Sequence, residues 1–210
     1  MMAAGRVSVN GSIVTELGTK VVPGSDEVDV DGVRVGTAKT RWVAFHKPPG
    51  VLTTRTDPHG GTTIYDVLPE EMTALRYVGR LDRDAEGLLL LTNDGGVANQ
   101  LQRPANAVER EYRVEVTRDT TRTLWGGVEL EDGLAKPTHV EIAESGDVTS
   151  VVVLVLTEGR KREVRRLMSE VGHPVLKLKR TRFGPVRLGD LQRGAWRDLE
   201  PGEASALGKV

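Results

Sequence analysis

The sequence predicts an α+β fold, with one domain on a large, mainly antiparallel sheet and a small hairpin-rich module before it. Strand-like stretches recur along the chain and outnumber helical ones. Residues 5–36 alternate apolar and polar positions around the turn signals Asn10-Gly11 and Asp31-Gly32. Four consecutive leucines, Leu88 to Leu91, suit a strand covered on both faces and make little sense on a solvated surface. With 210 residues, 38% of them hydrophobic, the chain is long enough for one substantial core with an appended module.

The expected domains are 1–40 and 41–210. The first is strand alone and can bury little core, so it is expected to be poorly ordered or to lean on the main domain or a neighbouring molecule. Residues 36–40 read as a linker. A strand then begins at 42–45 and runs into Lys47-Pro48-Pro49-Gly50, a rigid turn. Further strands are predicted at 51–54, 77–78, 88–92, 112–116, 140–142, 151–156 and 175–179. Helices are predicted at 63–68, 96–102, 119–125 and 161–171, the last closed by Gly172. No internal repeat or low-complexity segment interrupts this order.

Composition excludes several function classes. There is no cysteine, so disulfides, thiolate nucleophiles and cysteine-ligated metals are ruled out, which fits a reducing compartment. The N-terminal residues lack the apolar core of a signal peptide, and no apolar run approaches the roughly 20 residues that span a bilayer. A cytoplasmic location without membrane contact is expected. His46, His59, His139 and His173 are scattered without metal-ligand spacing, and neither phosphate-binding glycine motif occurs. Asp57 and His59 could belong to a hydrolytic triad, but no Gly-x-Ser-x-Gly elbow presents a nucleophile.

The formal net charge of -1 conceals an uneven distribution. Residues 158–182 hold nine Lys/Arg against three Glu, while 119–150 hold seven acidic residues against two basic. Arg160, Lys161, Arg162, Arg165 and Arg166 cover more than one side of a helix, so some must point inward or toward a ligand. Arginine suits phosphate because its planar fork binds bidentately.

The densest polar cluster, Gly79-Arg80-Leu81-Asp82-Arg83-Asp84-Ala85-Glu86-Gly87, stands directly before the leucine strand. That places Asp82 in a loop anchored to the core. Taken alone, Asp82 and Asp84 would be turn residues, Tyr112 a core residue and Arg80 a salt-bridge partner of Asp84 or Glu86. Lys47 would either flank its turn or contact phosphate.

Gly79 to Asp82 followed by Asp84-Ala85-Glu86-Gly87-Leu88-Leu89-Leu90-Leu91-Thr92-Asn93-Asp94-Gly95 closely resembles the catalytic motif of the pseudouridine synthases, specifically the RsuA/RluB group that modifies ribosomal RNA. His46 to Val51 looks like the first block of that family, Glu111-Tyr112-Arg113-Val114 like its tyrosine segment, and Glu158 to Met168 like its third block. The likeness runs from about residue 41 onward, in family order. Residues 5–36 are similar to the C-terminal half of an S4 RNA-binding domain, whose leading helices the sequence does not contain.

The resemblance implies a bent mixed sheet whose cleft holds Asp82 as catalytic carboxylate, with Arg165 as its ion-pair partner and Tyr112 stacked on the base. It also implies Arg80 beside the extruded nucleotide, with Lys47, Arg160, Lys161, Arg162 and Arg166 contacting RNA. The reaction it implies turns uridine into pseudouridine in ribosomal RNA, most closely the large-subunit (23S) RNA, with no cofactor and no metal, by a monomer. A carboxylate in such a cleft needs an opposite charge to stay ionised, because burial alone raises its pKa. The competing expectations are a non-catalytic RNA-binding ribosome-assembly factor, for which a carboxylate beside phosphates would be a liability, and a synthase that acts on small-subunit ribosomal RNA.

Overall fold

The computed structural model describes residues 1–22, 25–36, 39–117 and 124–209, and the chain divides into two compact units, Met1–Thr40 and Arg41–Val210. In the first, β1 (Val7–Val9), β2 (Ser12–Ile13), β3 (Val28–Val30) and β4 (Val33–Arg34) form an antiparallel sheet in the order β2-β1-β3-β4. Its hairpins turn through left-handed Asn10-Gly11 and Asp31-Gly32, the backbone that matches strand twist. None of its described residues is buried. Exposed pairs such as Arg6–Asp31 and Arg34–Asp29 add little individually.

The second unit contains β5 (Trp42–Lys47), β6 (Arg76–Val78), β7 (Glu86–Thr92), β8 (Arg110–Thr117), the hairpin β9 (Val128–Leu130) and β10 (Gly133–Ala135), β11 (His139–Ser145), β12 (Thr149–Leu156), β13 (Val175–Phe183), β14 (Val186–Arg187) and β15 (Trp196–Asp198). Its helices are α1 (Ile64–Val67), α2 (Gly95–Gln102), α3 (Glu163–Glu170) and α4 (Pro201–Leu207). The main sheet runs β11-β12-β8-β13-β7-β5-β15, with β6 on β7 and β14 on β13. Every pairing in it is antiparallel except β13 with β7. This is the α+β arrangement that the sequence predicts.

The leucine strand explains itself in β7. Leu88 and Leu90 pack with Trp42, Leu101 of α2 and Leu207 of α4, while Leu89 and Leu91 face Phe45, Ile64 and Met72 on the other side. All four are fully buried, and each such side chain contributes about 1.5–3 kcal/mol. A third core sets Leu167 and Met168 of α3 against Val114, Leu154 and Leu178. Asp94 caps α2 by accepting from the Val97 N–H at 3.0 Å. Gly172, at φ 83°, ends α3, where its N–H and that of His173 donate to the carbonyls of Ser169 and Met168.

Several expectations are corrected. Residues 51–54 form no strand: Leu52 makes one isolated bridge to Thr63, and Thr53 spends its hydroxyl on the Leu81 carbonyl. Helix α3 begins at Glu163, because Arg162 takes the left-handed conformation at φ 52° and cannot continue a helix. Of the helix expected at 119–125, residues 119–123 lie outside the described residues, and Leu124–Gly126 is a single 3-10 turn. The hairpin β9–β10, strands β14 and β15, and α4 are additional. Among the described residues no helix is long and apolar enough to cross a membrane.

Gly87 is where β7 meets β13. It pairs with Arg180 at φ 113°, and a Cβ there would lie 2.3 Å from the Arg180 carbonyl oxygen. Gly87→Ala should therefore destabilise the protein by at least about 3 kcal/mol, since the obstructing atoms are the Arg180 backbone, which cannot swing aside as a side chain would. Urea denaturation of the two proteins measures this directly.

Candidate active site

The loop from Gly79 to Ala85 joins β6 to β7 and is held by its own carbonyls. Thr53 Oγ1 donates to the Leu81 carbonyl at 2.9 Å, the Gly50 N–H to Arg83 at 2.7 Å, and Arg180 Nη1 to Arg80 at 3.5 Å. Lys47 Nζ donates to the carbonyls of Ala85 at 2.8 Å, Pro48 at 3.0 Å and Arg83 at 3.4 Å. The backbone that carries Asp82 is thus fixed by groups from three other segments. Fixing the backbone positions a carboxylate without neutralising it.

Lys47 therefore does not reach RNA in this structure: its side chain is fully buried and turned back onto the loop. Burial pushes its ammonium down to about 8, partly opposed by Asp84 and Asp82. The expectation of a phosphate contact fails because four methylenes carry the charge inward along the rigid Pro48-Pro49 turn.

Asp82 is partly exposed and has Arg162 Nη1 at 3.7 Å from Oδ2. Arg165, expected to pair with Asp82, instead binds Asp84 at 2.9 Å and the Val175 carbonyl at 3.3 Å. The same Arg162 nitrogen stands 3.9 Å from Asp84, so two arginines and two aspartates form one alternating cluster. The left-handed backbone of Arg162 is what turns its side chain toward this cluster.

Arg160 and Arg166 are also corrected. Arg166 holds Asp132 through two hydrogen bonds of 2.9 Å, and Arg160 donates to Glu158 and to the carbonyls of Gly133 and Leu134. Both guanidinium groups clamp the β9–β10 hairpin to the start of α3, so the hairpin's acidic turn consumes charge that the sequence alone leaves free. Asp132 is held below the usual carboxylate range, chiefly by Arg166.

A cleft of about 570 Å³ brings together Arg80, Asp82, Tyr112, Arg160, Lys161 and Arg162. Lys47, Arg165 and Arg166 are not on its wall. Arg80 and Lys161 are exposed, and neither side chain has an ion-pair partner among the described residues. The proposed salt bridge of Arg80 to Asp84 or Glu86 does not form; Glu86 binds Arg193 at 2.6 Å.

The wall also contains residues that sequence reasoning passed over. Arg110, Tyr112, Val114 and Val116 share one face of β8, and Leu178 and Arg180 share the facing register of β13, with Arg180 directly opposite Tyr112. Arg110 is buried and donates to four backbone carbonyls, those of Leu101, Val108, Thr157 and Glu158. Arg180 is 1% exposed and donates to the Leu88 carbonyl at 2.8 Å. Phe183 lies under both guanidinium groups, at 4.9 and 5.2 Å. Burial pushes both arginines below their ordinary range, and in each case Tyr112 works against the shift. An arginine at an inward position of an alternating strand is the signal that would have found them. Glu163, also on the wall, is buried and pushed upward by that burial, with Oε2 accepting the Arg160 N–H. Among the described residues no three His, Asp or Glu side chains could hold a metal ion.

Residues 41–170, which include both Asp82 and Tyr112, match the RNA pseudouridylate synthase family. The chain belongs to that family. It is 36% identical to the ribosomal large subunit pseudouridine synthase B of Bacillus subtilis, over 99% of this chain and 87% of that protein. The Vibrio cholerae protein of the same description is 42% identical over 95% of this chain and 65% of its own length. An uncharacterized RNA pseudouridine synthase of Aquifex aeolicus is 38% identical over 100% of this chain and 86% of that protein. A crystal structure of a pseudouridylate synthase superposes with a TM-score of 0.75 at 27% identity, covering 98% of this chain and 90% of that one. The protein is therefore an enzyme, an RNA pseudouridine synthase.

Two predictions follow from the charges around the cleft of the synthase. Unfolded Lys47 keeps its proton to about 10.5 and folded Lys47 to about 8, so between those values the unfolded chain binds more protons and stability should rise with pH. Urea midpoints from pH 7 to 10.5 should show this rise relative to Lys47→Met; parallel curves would show that Lys47 does not titrate there. Asp132→Asn releases Arg166, whereas Arg160 keeps Glu158 and the Gly133 and Leu134 carbonyls, and should steepen the dependence of log K on log salt by about 0.7 for each phosphate that Arg166 reaches. RNA filter binding across a salt series reads that slope.

Proposed function

We propose that this synthase isomerises a uridine of large-subunit (23S) ribosomal RNA, with Asp82 as the catalytic carboxylate. The observation that carries this reading is a partly exposed carboxylate on a loop pinned at four carbonyls, facing a cleft that also contains Tyr112. The choice of large-subunit RNA is supported by the Bacillus and Vibrio relatives, whose descriptions name that subunit.

The reaction breaks the ribose C1'–N1 bond, turns the base over and rejoins it through C5. It is an isomerisation without net redox change or an external group, so it calls for no cofactor. Asp82 serves as nucleophile or base at the sugar. Arg162 is its immediate charge partner, and Arg165, through Asp84, positions that partner from behind. Tyr112 faces the base, while Arg80 occupies the gap left when the uridine leaves its stack, offsetting part of an extrusion cost of a few kcal/mol. Lys161 and Arg162 lie where the RNA backbone would cross the cleft mouth. The enzyme works in the cytoplasm, where ribosomal RNA is assembled.

The test is to map pseudouridine on unmodified large- and small-subunit RNA incubated with the protein and with Asp82→Asn. A single modified position on the large-subunit RNA that disappears with Asp82→Asn, with RNA affinity unchanged within a few fold, is the expected result. Modification on the small-subunit RNA alone would overturn the substrate assignment, and activity surviving in Asp82→Asn would overturn the assigned residue.

A further inference from the structure

Arg180 lies beyond residues 41–170, the stretch that the family match covers, yet it forms part of the cleft wall. Its surroundings are unusual for a buried cation. Its anchors are neutral: the carbonyls of Leu88 at 2.8 Å and Arg80 at 3.5 Å, with the Phe183 ring 5.2 Å from the guanidinium carbon. Nη2 is buried and has no hydrogen-bond partner among the described residues. Tyr112, its cross-strand neighbour, lies close enough for its phenolic oxygen to favour the guanidinium charge, but it does not meet Nη2 in hydrogen-bond geometry, and neither does any other acceptor among the described residues. A buried charged donor without a partner is costly, and such groups in native structures call for an explanation. A ligand acceptor in the cleft supplies one.

The ligand chemistry follows from position. At 1% exposure, Arg180 is out of reach of an RNA phosphate, which the exposed Arg80, Lys161 and Arg162 can meet instead. What reaches this depth beside Tyr112 is the base. When C1'–N1 breaks, its electron pair leaves with the uracil, and the negative charge spreads over N1 and the O2 and O4 carbonyl oxygens. The electron-poor C1' is met by the Asp82 side. Rejoining forms C5–C1', after which C5 loses a proton and N1 gains one, so atoms and electrons balance.

We propose that Arg180 is a further catalytic residue: its Nη2 N–H donates to a carbonyl oxygen of the uracil and stabilises the negative charge of the detached base. The donor is fixed in advance by the Leu88 and Arg80 carbonyls and acts in a water-poor site, the conditions under which such donors have most effect on rate. The same guanidinium holds the carbonyl two residues before Asp82, so base and carboxylate are referred to one rigid group. This inference rests on the proposed reaction.

The experiment compares single-turnover cleavage by the full chain, Arg180→Met and Arg180→Lys on large-subunit RNA transcribed with uridine or with 5-fluorouridine. Fluorine withdraws electrons and lets the base leave with less help. Arg180→Met should be about 10²–10³-fold slower on uridine RNA, with RNA Kd changed less than about threefold, and the deficit should shrink at least about tenfold on 5-fluorouridine RNA. Equal deficits on both RNAs in a variant with native circular dichroism and Tm would overturn the proposal, because a purely structural role is blind to the leaving group. If Arg180→Met does not fold, Arg180→Lys, which keeps the charge without the fork, decides in the same way: a shrinking deficit supports the role and equal deficits overturn it. A wild-type protein that converts neither RNA would overturn the proposed function and this inference with it, whereas equal deficits beside an active wild type overturn this inference alone.

Discussion

The buried ammonium of Lys47 is the constraint on which the site depends. One cation joins two carbonyls just after Asp82, those of Arg83 and Ala85, to the Pro48-Pro49 turn. A buried charge is costly unless its donors are used, so the loop and the lysine stabilise each other: the Arg83 and Ala85 carbonyls, which would otherwise be stranded just before β7, become the lysine's solvent. The rigid turn contributes as well, since proline leaves the chain no freedom to swing the lysine outward.

The arginines divide into those that build the cleft and those that face it. Arg110, Arg160 and Arg166 are absorbed by carbonyls or by the Asp132 turn, and Arg165 by Asp84. Arg80 and Lys161 have no ion-pair partner among the described residues, and Arg162 stands beside Asp82 and Asp84 on the cleft wall. Local charge therefore overstates the electrostatic reach of residues 158–182, and the near-neutral net charge is less surprising once most of the positive groups are seen to be internally matched. Exposed pairs among them contribute modestly to stability; their main effect is on shape, because they set where the hairpin and α3 meet.

Much of the fold was legible because it is written locally. The leucine run reported a strand buried on two faces, and Gly172 the end of α3. The elements that escaped are short and depend on distant partners: Trp196–Asp198 is a strand only because it pairs with β5, and the β9–β10 turn matters only because two arginines some 30 residues away close on Asp132. In the site, the positions of Asp82 and Tyr112 could be read from motif and register, but the pairing of Arg162 and Arg165 could not. Which of two arginines three residues apart meets which of two aspartates two residues apart is decided by a single left-handed residue. Arg180 is hidden differently, inside a run of positive residues that masks its inward phase.

The site also lies across a seam. Asp82 precedes β7, Tyr112 and Arg180 belong to β8 and β13, and β7 joins β13 by only two parallel residue pairs, Glu86 with Lys179 and Gly87 with Arg180. Each flank has its own hydrophobic core, and Phe183 is the β13 residue that crosses into the core beneath β7. Asp82 and the pair Tyr112–Arg180 therefore become neighbours across this short ladder, which Phe183 braces from below. Local opening along it would separate the two walls of the cleft before the longer antiparallel ladders on either side were lost.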